Sequence, residues 1–85
     1  MRIHGWHYDS RPITLNDQPV GCGRSIRMEA TGGIKMVLDA ARNQINRFPV
    51  EPNHERFLVS EQRHDELYGK RTTIILTYLD RRVTE

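Results

Sequence analysis

Residues 31–49, TGGIKMVLDAARNQINRFP, decide the fold. Ile34, Val37, Leu38, Ala41, Ile45 and Phe48 recur at steps of three and four, which places them on one apolar stripe of a helix. Lys35, Asp39, Arg42, Asn43 and Asn46 fall largely away from that stripe. Thr31, Gly32 or Gly33 can cap the start. Pro49 forces the stop, because a residue before proline is pushed out of helical geometry. Arg42 and Arg47 near the end suit the negative pole of the helix dipole. The pattern predicts a helix over about residues 32–47.

A helix with one apolar stripe needs a surface to cover, and the flanking sequence supplies strands. Downstream, Pro49–Asn53 reads as an extended linker. Arg56–Ser60 reads as a strand, with Phe57 and Val59 on one face and Leu58 on the other. Ser60 also fits the cap of a polar helical turn running through Tyr68, with Glu61 in its first turn and Gly69 just past its end. Arg71–Leu79 is the strongest strand. It is apolar on both faces, with Ile75 and Leu79 on one and Ile74, Leu76 and Tyr78 on the other, as expected of a central strand. Arg81, Arg82 and Glu85 are expected in solvent.

Upstream, residues 2–8 alternate loosely, with Ile3, Gly5 and His7 on one face and His4, Trp6 and Tyr8 on the other. Asp9–Pro12 is turn chemistry, Ile13–Leu15 a short strand, and Asn16–Pro19 a second turn. Gly21-Cys22-Gly23 fits a bulge or a continued loop. Arg24–Ala30 alternates again, with Ile26, Met28 and Ala30 together. The expected fold class is α+β: a small four- to five-stranded, mostly antiparallel sheet with one main helix on one face, in the order β-β-β-α-β-β.

The chain has 85 residues, which fits a single domain over 1–85. Leu, Ile, Val and Phe make up 20 of them, enough for a folded but small core. A domain of this size buries only about 60–65% of its unfolded surface, so a partner or a second copy would help it. No apolar run approaches the roughly 18 residues of a membrane helix, and the first ten residues include Arg2, His4, His7 and Asp9, which a signal peptide would not carry. The single Cys22 excludes an internal disulfide and points to a reducing, cytoplasmic setting. The net charge is +2, with 13 cations against 11 anions. Eleven of the cations are Arg, the residue suited to planar contact with phosphate or carboxylate. A coding bias toward Arg would produce the same excess. No block of five or six like charges exists, so a nucleic-acid site would have to be assembled in space.

Several residue groups carry the right types for chemistry but the wrong arrangement. His4, His7 and Asp9 are metal-ligand types, yet a His-x-x-His pair on a strand points to opposite faces. Ser60, His64 and Asp65 are the types of a hydrolytic triad without its nucleophile turn, and adjacent His64 and Asp65 cannot easily align as base and orienter. Glu51, Glu55, Asp65 and Glu66 read as a solvated acidic end. Cys22 lies near Arg24, which would favour its thiolate, but a small half-buried Cys is the commoner case. Gly21-x-Gly23 lacks the rest of a dinucleotide fingerprint. Thr31-Gly32-Gly33 could hold an anion at a helix start, but no Lys-Ser/Thr pair follows. His64-Asp65-Glu66-Leu67 spells a retention signal that acts only at a C-terminus. These groups assign no catalytic residue, metal ligand or cofactor.

The expectation is therefore a non-catalytic binding module. One helix covers one sheet face. The second face is expected to present Trp6, Tyr8, Leu58, Ile74, Leu76 and Tyr78 to a protein partner, through that face or an edge strand, with a homodimer plausible. Small domains of this kind include subunits and inhibitors, phage-encoded ones among them. The alternative is a nucleic-acid-binding module using Arg24, Arg27, Arg56, Arg71, Arg81 and Arg82 beside the strand aromatics. A metal- or Cys-dependent small enzyme comes third.

Overall fold

A computed structural model describes residues 1–66 and 69–83. Its elements are β1 (Arg2–Leu15), β2 (Gln18–Thr31), α1 (Ile34–Asn46), β3 (His54–Glu66) and β4 (Arg71–Arg82). The four strands form one antiparallel sheet in the order β1-β2-β4-β3. β4 is central, as its two apolar faces imply. The helix is where the periodicity places it, with Gly33 at the N-cap and Arg47 at the C-cap.

The upstream strands differ from expectation. Asp9–Pro12 does not turn; residues 2–15 form one strand, so the order is β-β-α-β-β. β1 lies at the sheet edge, where a proline without an N–H is tolerated. The chain reverses only at Asn16 and Asp17, whose φ values of 51° and 62° make the tight two-residue connection of a hairpin. Gly21-Cys22-Gly23 continues β2 as strand and not as a loop, with a register shift directly beside Gly21. Register shifts fall near His4 in β1, at Val59 in β3 and at Val20 in β2, where Ile13↔Gly21 is followed by Thr14↔Pro19.

The polar helical turn expected from Ser60 is also absent as far as Glu66; Leu67 and Tyr68 lie outside the described residues. Residues 60–66 instead continue β3, paired with β4 down to Glu66↔Arg71. A single helical turn has too few hydrogen bonds to offset its nucleation cost, whereas β4 offers a ready ladder.

The core forms where β2 and β4 meet under the helix. Ile26 pairs with Leu76, Met28 with Ile74, and Ala30 with Thr72. These two apolar rows lie side by side beneath Val37, Leu38, Ala41 and Ile45. Tyr8, Ile34, Ala40 and Tyr78 pack around them. This arrangement corrects the expected face. Ile74 and Leu76 are completely buried, and by register Trp6, Tyr8, Leu58 and Tyr78 share their side of the sheet. The uncovered face is the opposite one. It is the less apolar of the two, since Ile75 and Leu79 alternate there with Thr73 and Thr77, and burying the richer face releases more water from apolar surface.

The molecule measures 47 × 22 × 17 Å. A 13-residue helix spans about 20 Å, so it covers less than half the length of the sheet. The β1–β2 hairpin runs on past β4, whose pairing with β2 ends at Gly21↔Arg81.

Candidate functional site

The strongest polar cluster lies at the C-terminal end of α1. Asp80, the last buried residue of β4, is 2% exposed. Its carboxylate accepts from Arg56 Nε at 2.7 Å and Nη2 at 3.0 Å, and from Arg24 Nε at 2.5 Å. Register explains the meeting: Arg56 sits directly across from Asp80 on β3, and Cys22, two residues before Arg24 on β2, sits across from it on the other side. Arg56 Nη1 also donates to the carbonyls of Ile45 and Phe48 at the helix end, adding to the bond that Ile45 already accepts from the Phe48 N–H. Arg24 Nη1 donates to Tyr8 Oη at 2.5 Å and Ser10 Oγ at 3.1 Å. The ring of Tyr8 stacks on Phe48, with centroids 3.8 Å apart.

One carboxylate thus ties the helix end to three strands. Burial alone would raise the Asp80 carboxyl pKa, but hydrogen bonds from Arg56 and Arg24 outweigh it and hold the group below its ordinary range. Burial would likewise lower the Arg24 pKa, and the bonds to Asp80 and Tyr8 raise it instead. The Asp80 carboxylate and the Arg24 guanidinium are therefore both charged at neutral pH.

Beyond this cluster, on the same side of the sheet, lies a cleft of about 470 Å³. Cys22, Arg24 and Asp80 form one wall, and Glu51, Pro52, Asn53 and His54 another. The Cys22 thiol is 3.2 Å from Ser10 Oγ. His54 Nδ1 is 2.9 Å from the Pro52 carbonyl, which locks the ring to its own loop.

The face opposite the helix is a second candidate. Register arranges it in rows running across all four strands. One row reads Arg11, Gly23, Leu79, Phe57; the next reads Asp9, Ser25, Thr77, Ser60; the next His7, Arg27, Ile75, Gln62. Ile13 leans over Gly23, and Leu79 comes close to Gly21. Ile13, Leu79 and Phe57 therefore form an apolar band across one end of the face, with Ile75 further along. Phe57 is 46% exposed and Ile13 38%. The charges toward β1 are paired locally, Arg11 with Asp9 and Arg27 with Glu29.

The six residues expected to meet a protein partner are thus gathered on one face, but it is the face under the helix. Ile74 and Leu76 are inaccessible there; Trp6 and Leu58 are exposed only because they lie on edge strands. Trp6 leans on Phe48, with ring centroids 6.2 Å apart. The six Arg residues proposed for nucleic acid divide between faces. Arg24, Arg56 and Arg82 lie on the helix side by register, and Arg27, Arg71 and Arg81 on the other. Ser60 and His64 share the open face two rows apart, whereas Asp65 lies on the helix side beside Thr72. His4 lies 2.5 Å from Thr31 Oγ1, and His7 pairs across from Arg27. Among the described residues no three His, Cys, Asp or Glu side chains converge as a metal site. Nor is any helix among them long and apolar enough to cross a membrane.

Sequence reasoning missed Ile13, Ile75, Leu79 and Phe57 as the open-face group, and missed Asp80 as a hub. A usable signal existed for the first. The Ile74, Leu76, Tyr78 face of β4 is uninterrupted, so it is the face a single helix should cover. Asp80 follows that face by one further step of two.

Compared with known proteins, the chain matches no family model, and no curated protein and no solved structure is significantly similar to it.

Proposed function

We propose that the protein is a non-catalytic binding module that meets a protein partner through the open face of its sheet. One observation carries the reading: among the described residues nothing covers the four long strands on the side away from α1, and that side holds Ile13, Phe57, Ile75 and Leu79. Antiparallel sheets often leave one face in water, and then its outward residues are polar. Here an apolar band crosses an otherwise polar surface, which is the composition of an interaction patch with a polar rim. The nucleic-acid reading draws less support, because Arg24 and Arg56 are committed to Asp80 and the other four Arg residues fall on both faces.

The test is site-specific photocrosslinking in cells. A benzophenone side chain at Thr77, in the middle of the open face, is expected to give a discrete protein adduct. The same group at Asp39, on the exposed side of α1, is expected to give none. Absence of any adduct from position 77, with the protein folded, would refute the reading.

A further inference from the structure

From the pattern of the open face we infer that the partner seated there is a second copy of this chain, in a face-to-face dimer whose two-fold axis runs along the strands. The inference rests on the open face being the docking surface, and it adds the identity and orientation of the occupant.

Area is the first argument. Four strands about 4.8 Å apart and roughly 36–40 Å long present about 700 Å² on one face. Two such faces together bury about 1,400 Å², within the ordinary range for a specific protein–protein interface. Sheets packed face to face in this way are a standard solution for two half-covered sheets.

Charge is the second argument, and it selects the axis. A two-fold along the strands places β1 over β3 of the partner copy and β2 over β4, with each cross-strand row facing its own copy. Leu79 then comes over Gly23 of β2, against the Ile13 side chain that leans across that glycine, so apolar groups of the two copies meet. Arg11 comes over the Phe57 ring, an arrangement that attracts a guanidinium. Thr77 meets Ser25, Ser60 meets Asp9, and Ile75 meets the stem of Arg27. At the far end Arg2 meets Glu66 and Arg71 meets Thr31. No like charges oppose each other. A two-fold across the strands reverses the rows and brings Arg71 over Arg81 along β4, a like-charge contact that costs affinity and excludes that docking. The surface is self-complementary in one orientation, which is the requirement for a two-fold interface. The ion pairs Asp9–Arg11 and Arg27–Glu29 are already formed within each copy, so closing the interface strands no lone charge there.

Sedimentation equilibrium of the purified full chain, over about 1–100 µM, tests this. The wild type is expected at twice the chain mass in the upper part of that range. Ile75→Arg sets a guanidinium beside Arg27 of its own copy and over Arg27 of the other, and is expected to give monomer, with the dissociation constant raised at least tenfold. Adding Arg27→Glu to Ile75→Arg supplies the opposite charge and is expected to restore the dimer. Thr77→Arg serves as a second disrupting variant if Ile75→Arg fails to fold. A wild type that stays monomeric to 100 µM overturns the inference. So does a dimer that is indifferent to these variants, since it would be held by an edge strand instead. A monomer that still crosslinks from position 77 to a protein of another mass overturns only the identity of the occupant and leaves the open-face reading standing.

Discussion

Replacing Asp80 by Asn removes one charge from between two guanidiniums and changes almost nothing in shape. The Asp80 side chain is 3% exposed, and those of Arg56 and Arg24 are 7% and 17%. The carboxylate accepts three N–H bonds from them. An amide has one oxygen to offer and turns its own donors toward the other guanidinium, so at least one donor faces a donor. Two buried cations remain with no anion between them. Breaking a buried ion pair by removing one partner costs about 3–5 kcal/mol. A chain of this length has about 4–13 kcal/mol of total stability, at roughly 0.05–0.15 kcal/mol per residue. The substitution is therefore expected to take away about a quarter of it or more. At about 4–8 °C per kcal/mol, the melting temperature should fall by at least 12 °C. The assay is thermal and urea unfolding followed by circular dichroism at pH 7. Acid gives an internal check. Because the folded-state pKa of Asp80 is depressed, its contribution is complete above the unfolded carboxyl value of about 3.9 and disappears as pH falls through the folded value. The gap between wild type and Asp80→Asn should be constant from pH 5 to 8 and close below about pH 4. A melting temperature within about 4 °C of wild type at pH 7, or a gap that persists in acid, would refute the account of this cluster.

Two glycine substitutions should differ sharply in cost. Gly21→Ala drives its methyl into the Asp80 backbone carbonyl and is expected to cost about 1–3 kcal/mol, whereas Gly5→Ala meets nothing within 4 Å and should be close to neutral in the same unfolding assay. Gly33→Ser should stabilise by about 0.5–1 kcal/mol: the N-cap has φ −69° and ψ 151°, open space, and no side-chain cap, and Ser supplies an acceptor while reducing the freedom of the unfolded chain. Serine is preferred to aspartate there because Asp65 and Glu66 line the same hollow.

The helix and the central strand were legible in the sequence because each is decided by its own periodicity. Ile34 to Phe48 repeats at helical spacing, and Ile74 to Leu79 is apolar at every position but Thr77. The long edge strands were not legible, because ladder partners decide them and local composition does not. Asp9–Pro12 carries turn residues yet stays extended against Ser25, Arg24, Gly23 and Cys22. Residues 60–66 are polar and helix-compatible yet stay extended against β4. A strand whose partner is an already fixed central strand needs little propensity of its own.

Grouping residues by face was equally legible; deciding which group the helix covers was not. Alternation places Ile74, Leu76 and Tyr78 together and Ile75 with Leu79, but it is symmetric between the two sides. The asymmetry comes from β2. Ile26, Met28 and Ala30 align with Leu76, Ile74 and Thr72, so one side of the sheet carries two adjoining apolar rows. The other carries Ser25, Arg27 and Glu29 against Thr77, Ile75 and Thr73. A one-residue slip between β2 and β4 would have mixed the two sets and left neither face fit for the helix. The register that builds the core is the same register that sets Gly23 beside Leu79 and Phe57 on the far side, and that places Arg24 and Arg56 within reach of Asp80. The apolar band and the buried ion cluster are thus consequences of a single pairing. For this reason substitutions on the open face test the docking proposal cleanly: Ile75 and Thr77 change the outer surface, while the pairing is held from beneath by Ile26, Met28, Ile74 and Leu76.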